Sequence, residues 1–380
     1  MTESSFQDQS PVEPPVAGED PPLDDSEGRD RFDLDEVRSV LQRFPISGIT
    51  TIREFHAGSR RSPKILISTD GGDYLLKRRA PRPDLLQRVN YNHAIIQRLQ
   101  DLEHPVARLI SLRDNANTAA VRGEDVYELF EYVEGRRFDH SPAEVQMVGR
   151  VLGGMHHALE GWHPEGESPK GTYHSADTVF TALDRLVKAI VAVDPSVSPK
   201  EVDALARNLR AMYQRAVRKA EEAGWASLAP QPIHGDWHPG NVVFLDAEGG
   251  GKPGRVAAVV DFDSSRAEPR VIDLANGLLH FAMRSHPGKS PSTWPHELSS
   301  RRLAALISGW VSGVSSVMDE EAAVVPWLMV EAAIAESVVP VAETGCFSRV
   351  PGFPFLQMVR AKTEWIAPRA KGIQGLFKAT

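Results

Sequence analysis

The sequence predicts an α+β fold of two lobes: a small β-rich lobe, then a larger helical lobe that carries one β-hairpin. Three observations predict it. From residue 31 to about 132, short β-like runs surround one long helical pattern. From 133 to 368, helix start signals and 3.6-residue apolar spacings dominate, broken by a single pair of strands. The chain has 380 residues, 41% of them hydrophobic, which suffices for two buried cores. The flanks, 1–30 and 369–380, are expected to be tails.

The elements follow in order. In "DLDEVRSVLQRF", Leu34, Val37 and Leu41 share one helical face and Asp33 is the N-cap. "TTIREFHA", "KILIST" and "YLLKRR" read as strands, the last two joined by the turn Asp70-Gly71-Gly72-Asp73. A helix runs from about Asp84 to Leu99, and "ARLISL", "TAAVRG" and "VYELFEYV" are three more strands. "SPAEVQMVGRVLGGMHHALEG" opens with a capping box, Ser141 and Glu144, with Pro142 at the first helical position. "SPKE" from Ser198 repeats that signal for a helix running to Gly224. "NVVFL" and "RVAAVVDF" form the hairpin, and helices fill 270–283, 300–317, 320–342 and 354–366.

Charge narrows the function. Residues 1–30 hold nine acids and one base, so the whole net charge of −8 lies there, and the other 350 residues carry 42 bases and 42 acids. So acidic and Pro-rich a segment buries too little apolar surface to offset its ordering entropy, and it is expected to be disordered. The neutral body argues against nucleic-acid binding. A single cysteine, Cys346, excludes an internal disulfide framework and a multi-cysteine zinc site. The most apolar stretch, 322–335, is broken by Pro326 and Glu331 and reads as a buried helix rather than a membrane span. The N-terminus shows no basic start with an apolar run, so the expected location is cytoplasmic.

The chemistry lies in "IHGDWHPGNVVF", 233–244, and "VVDFDSS", 259–265. Asp236 and Asn241 are five residues apart, and Asp261 arrives on the next strand. Kinase catalytic loops have this separation of Asp and Asn with a downstream Asp-Phe pair. Phosphoryl transfer needs a hard cation on the phosphates, and Mg²⁺ takes one or two oxygen ligands from protein. Asn241 and Asp261 supply such oxygens, and Asp236 can accept the proton of an attacking hydroxyl. Asp263 is either a second metal-site acid or a turn residue. Trp237 and His238 either face the substrate or hold the loop, His238 more as a structural residue.

On these motifs the chain resembles the aminoglycoside phosphotransferase family, the protein-kinase-like group that also holds choline, homoserine and spore-coat-type kinases. The resemblance covers roughly residues 45–345. It implies a protein-kinase-like bilobal fold, with a nucleotide-binding lobe over 31–132 and a catalytic and substrate lobe over 133–368. It implies ATP or GTP with Mg²⁺ as cofactors and a small-molecule hydroxyl as acceptor. Asp236 would be the catalytic residue that orients and deprotonates the acceptor hydroxyl, and Asn241 and Asp261 the metal ligands. Lys77, on the third strand, would hold the nucleotide phosphates, although Arg78 and Arg79 follow it directly. Gly58 and Ser59 would bring backbone N–H groups to those phosphates, with Arg60, Arg61 and Lys64 nearby as compensating or merely exposed bases. "LFEYVEG" resembles a kinase hinge, in which Glu131 and Val133 would read the adenine edge and Gly135 would turn the chain. Asp273 would brace the catalytic loop, and His156 or His157 would be a packed structural residue. One departure stands out: the helix after Lys77 carries Asn92 where the family has a glutamate. Either another acid holds Lys77, or the lysine is positioned less firmly.

Two other readings compete. A nucleotide-binding pseudoenzyme acting through unknown protein partners would explain Asn92, the single loop glycine and the acidic tail, but Asp236, Asn241 and Asp261 are all present. An iron oxygenase would use His234, Asp236 and His280 as a facial triad, yet it leaves Asn241 and Asp261 without a role. The acceptor pocket is expected from segments around 162–200 and 270–350, with His163, Tyr173, His174 and Asp177 as lining candidates.

Overall fold

The computed structural model describes residues 30–55, 61–246, 254–284 and 289–378. Asp33 caps α1 (Leu34–Leu41) by accepting from the Asp35 and Glu36 N–H groups, and Glu36 accepts in return from the Asp33 N–H. The next strands are β1 (Ile49–Phe55), β2 (Lys64–Thr69) and β3 (Gly72–Arg78), followed by α2 (Leu85–Asp101), β4 (Ala119–Arg122) and β5 (Asp125–Glu131). They form one antiparallel sheet in the order β1-β2-β3-β5-β4. Its core is Val37, Leu41, Phe44, Ile65, Ile67, Leu76, Tyr127 and Leu129. The register aligns Phe55, Lys64, Lys77, Glu128 and Ala119 in one row across all five strands. Directly opposed residues share a face, so this row presents its side chains together.

The second lobe holds α3 (Pro142–Ala158), α4 (Asp177–Val193), α5 (Pro199–Glu222), β6 (Pro230–Ile233), β7 (Val242–Leu245), β8 (Arg255–Val259), β9 (Arg266–Pro269), α6 (Val271–Phe281), α7 (Ser300–Gly313), α8 (Asp319–Thr344), α9 (Gly352–Ile366) and α10 (Ala370–Gly375). Among the described residues α8 alone is long and apolar enough to cross a membrane, and 78% of its apolar window is buried in this lobe. The fold is thus mixed, a five-stranded antiparallel lobe and a helical lobe, as the sequence predicts.

Several expectations need correction. "ARLISL" is not a strand. Its backbone divides between two partners, Ala107 N–H donating to Val259 O at 3.2 Å and Ile110 N–H to Leu129 O at 2.8 Å, so it joins the lobes instead of extending one sheet. The helical lobe carries two further antiparallel pairs, β6 with β9, whose prolines mask it in the sequence, and the short pair Cys346–Phe347 with Val350–Pro351. Ser141 accepts from the Glu144 N–H, but the return half of the box is missing, because Glu144 binds Arg136 and the Asp139 N–H. Ser198 makes no side-chain cap. Gly135 keeps φ out of the left-handed region; what demands glycine is the Phe244 carbonyl, 2.5 Å from where a Cβ would stand. The expected tail at 369–380 is folded through residue 378, with Ile373 buried and Phe377 edge-on to Trp310. The predicted N-terminal tail, up to residue 29, lies outside the described residues, as do Gly58, Ser59 and Arg60.

Candidate active site

The segment between β6 and β7 is held from below. The buried Asp273 carboxylate accepts from the His234 and Gly235 N–H groups, both at 2.8 Å, and contacts His156 Nε2 at 3.2 Å. Trp310 Nε1 donates to His156 Nδ1 at 2.9 Å, so His156 is the packed histidine, while His157 is exposed. Gly235 has φ +80°, and a Cβ there would strike the Ser264 carbonyl and the Arg266 guanidinium. Trp237 is fully buried and holds the loop. His234 spends both ring nitrogens on backbone, at Val260 O (3.0 Å) and Asp236 N (3.3 Å), which removes it as an iron ligand.

So braced, the loop presents Asp236 and Asn241 together. Asn241 Nδ2 donates to Asp236 O at 2.9 Å and to Asp236 Oδ2 at 3.2 Å, which leaves its Oδ1 as the outward donor atom. The Val260 N–H donates to Asn241 O at 3.0 Å, setting the next residue, Asp261, alongside. Asp261 has φ +64°, a left-handed conformation that Asp tolerates better than most residues. Burial opposes ionisation of Asp236, but His238, His234 and His280 outweigh it and hold the carboxyl below its ordinary value. His238 Nε2 lies 3.5 Å from Asp236 Oδ2 and is half-exposed, so it belongs to the site rather than to the packing alone.

Lys77 reaches this loop from the other lobe. Its Nζ is 3.0 Å from Asp261 Oδ1 and 2.6 Å from Asp263 Oδ2. Arg78 points to the opposite face, onto Glu36 at 2.7 Å, while Arg79 joins Lys77 by pairing with Asp263 and with Glu128, the latter at 2.8 Å. Glu128 also meets His93 of α2 at 2.6 Å. Burial would lower the Lys77 ammonium, yet Asp263 and Asp261 raise it above its ordinary value. Burial would raise Asp261, yet Lys77 and Lys64 hold it well below the carboxylate range. The acids around Lys77 are therefore Asp261, Asp263 and Glu128. Asn92 is buried, and neither end of its amide has a partner among the described residues.

Glu131 closes β5 and Val133 lies just beyond it, in the connector between the lobes. The Glu131 N–H donates to Arg108 O at 2.8 Å and the Tyr132 N–H to Asp73 O at 2.8 Å. Tyr173 and His174, suggested as pocket lining, are buried: the Tyr173 hydroxyl donates to Ile272 O, and His174 sits between Glu331 and Glu221. His163 and Asp177 are exposed. Among the described residues no group of three or more His, Cys, Asp or Glu is gathered as a metal cage. The loop offers two oxygen donors, Asn241 Oδ1 and the Asp261 carboxylate, which suits a hard cation that keeps water and phosphate as its other ligands.

Comparison with known proteins agrees with this architecture. The model of the phosphotransferase enzyme family matches residues 51–313, and the chain belongs to that family. No curated protein matches the sequence. Among solved structures, the microcompartment-associated aminopropanol kinase superposes with a TM-score of 0.63 at 16% identity, covering 90% of this chain and 99% of that one. An aminoglycoside phosphotransferase from Alicyclobacillus acidocaldarius gives a TM-score of 0.61 at 14% identity, with coverage of 90% and 96%. An amicoumacin kinase in complex with AMP-PNP, Ca²⁺ and Ami gives 0.61 at 12% identity, with coverage of 89% and 94%. At these identities the structural likeness establishes the fold; family membership makes the chain a phosphotransferase.

Proposed function

We propose that the protein transfers the γ-phosphoryl group of ATP or GTP, with Mg²⁺, to a hydroxyl of a small molecule. One observation carries the reading: Lys77 of the sheet lobe meets Asp261 of the hairpin at 3.0 Å, beside the Asp236–Asn241 pair. A cation suited to phosphates, two oxygens suited to a metal and the Asp236 carboxylate, itself hydrogen-bonded by Asn241, thus stand close together, which supports the reading. Asp236 orients the acceptor hydroxyl and takes its proton as the new O–P bond forms and the bond to the β-phosphate oxygen breaks. Mg²⁺, held by Asn241 and Asp261, would supply neutralising charge on the phosphates. The amicoumacin kinase complexed with AMP-PNP and Ca²⁺ supports a nucleotide and a divalent ion in this fold. The Val133 N–H has no backbone partner among the described residues, which suits an adenine contact in the connector.

The pseudoenzyme reading loses its main support, because Lys77 is held by acids other than the missing glutamate. The test is calorimetry with ATP and GTP, then a screen of aminoglycosides, amino acids, sugars and amino alcohols for acceptor-stimulated ADP release. Asp261→Ala is expected to abolish Mg²⁺-dependent nucleotide binding. Asp236→Asn should keep that binding and lose about 10²- to 10⁴-fold in turnover. Wild-type protein that binds neither nucleotide would overturn the reading.

A further inference from the structure

Lys64 begins β2, and in the register it stands directly opposite Lys77 of β3. Two ammonium groups on one face of adjacent strands repel, and such pairs destabilise a sheet. Here the pair is also withdrawn from water, with side chains 11% and 7% exposed. Both lysines turn to one carboxylate: Lys77 Nζ is 3.0 Å from Asp261 Oδ1, and Lys64 Nζ is 4.0 Å from Asp261 Oδ2. Asp263 and Glu128 do not relieve Lys64 in the same way, because Asp263 is taken by Lys77 and Arg79, and Glu128 by Arg79 and His93. Among the described residues, Lys64 thus shares its one close anion with a stronger competitor. Burial and the Lys77 charge push its ammonium below the ordinary value. Once Asp261 gives its charge to a metal, Lys77 keeps Asp263, while Lys64 has no other close carboxylate among the described residues.

We propose that Lys64 is a second phosphate-binding residue, and that β2 and β3 present a two-lysine clamp, Lys64 with Lys77, to the phosphate chain of the nucleotide. The inference rests on the phosphotransferase reading above and adds a residue to it. A polyanion between the two ammonium groups converts their repulsion into two charge-assisted contacts. It also gives the cleft cationic grip on the β2 side, where the preceding loop has Gly58 as its only glycine.

The test compares Lys64→Met, which keeps the aliphatic stem, with Lys64→Arg, which keeps the charge. Affinities for the Mg²⁺ complexes of ATP and ADP, and for AMP and adenosine, are measured by calorimetry, with melting of the free protein in parallel. Lys64→Met is expected to lose about ten- to hundredfold in ATP affinity, the range for a contact to a charged group. Adenosine affinity should stay within about twofold, well inside the scatter of a neutral contact, and Lys64→Arg should regain most of the ATP affinity. Steady-state KM for the nucleotide should rise more than kcat falls. If Lys64→Met melts earlier yet keeps the full preference for ATP over adenosine, Lys64 is a structural partner of Asp261 and the proposal is overturned. If Lys77→Met loses that preference while Lys64→Met keeps it, the clamp fails and the phosphotransferase reading stands. If wild type shows no nucleotide binding, both fall. Should Lys64→Met not fold, Lys64→Gln, uncharged but still a hydrogen-bond donor, gives the same readout.

Discussion

His238 is placed to tune the Asp236 carboxylate. Its Nδ1 accepts the Gly240 N–H at 3.0 Å, so in the neutral ring the proton sits on Nε2, the nitrogen 3.5 Å from Asp236 Oδ2. Burial would lower the His238 imidazolium, but Asp236 outweighs it and the pKa rises, while Asp236 falls below its own ordinary value. A depressed carboxyl pKa keeps Asp236 ionised to lower pH. Removing the imidazole leaves burial unopposed at close range and pushes that pKa up. In His238→Ala the acid limb of the kcat/KM profile, read from about pH 4 to 8, should therefore move to higher pH. An acid limb that stays in place would show that His238 does not set the carboxylate. Residue by residue, Asp236, Asn241 and Asp261 stood out by their spacing and Lys77 by its place on the third strand in the family resemblance, and the structure brings the four together. Glu128 was missed, although an acid inside the apolar run "VYELFEYV" was a usable signal. It mattered only once strand register placed it opposite Lys77.

Helices α3 and α7 pack with almost no space between backbones. Gly149 and Gly153 on α3 and Gly309 and Gly313 on α7 lie four apart in each helix, and a Cβ at any of them would meet the other helix's backbone, at 2.7 Å from Arg150 O in the case of Gly313. The contact carries His156 to Asp273 and so supports the loop of Asp236 and Asn241. Gly309→Ala improves helix propensity by up to ~1 kcal/mol, yet overpacking here should dominate and lower stability by about 1–3 kcal/mol. Chemical denaturation measures the sign; a stabilised variant would refute the close approach. Long elements were readable because periodicity and caps are local. The β6–β9 pair was not, since Pro230 and Pro232 hide its strand character and its partner lies more than thirty residues away. Helical character around 162–200 was expected, but the start of α4 was not, because no cap marks it: Ala176 precedes it without a side-chain bond.

At the scale of the whole molecule, both lobes converge on the hairpin β7–β8. Val259 exchanges hydrogen bonds with Pro105 O (2.7 Å) and Ala107 N (3.2 Å), and Phe244 exchanges two with Arg136 at 2.8 and 2.9 Å. A further link is ionic, Lys77 and Arg79 from the sheet lobe closing on Asp263 beside Asp261, and another is apolar, Tyr91, Ile95 and Leu99 of α2 packing into the core of the helical lobe. Net charge takes no part in this, since the −8 of the chain lies in residues 1–30. The geometry favours Asp263 as an anchor for two cations over Asp263 as a metal ligand, and the two roles respond oppositely to nucleotide. In Asp263→Asn, Lys77 and Arg79 lose a carboxylate, and the free protein should be less stable by about 1–3 kcal/mol, below the range for a fully buried pair because Asp263 is 37% exposed. On the proposed function, phosphate would take the place of that carboxylate at Lys77 with saturating Mg²⁺ and nucleotide, and the gap in melting temperature between variant and wild type should narrow. If Asp263 instead held the metal, the variant would forfeit the stabilisation that ligand binding gives wild type. The gap would then widen with nucleotide, and thermal melts of both proteins with and without the Mg²⁺ complex decide between the two.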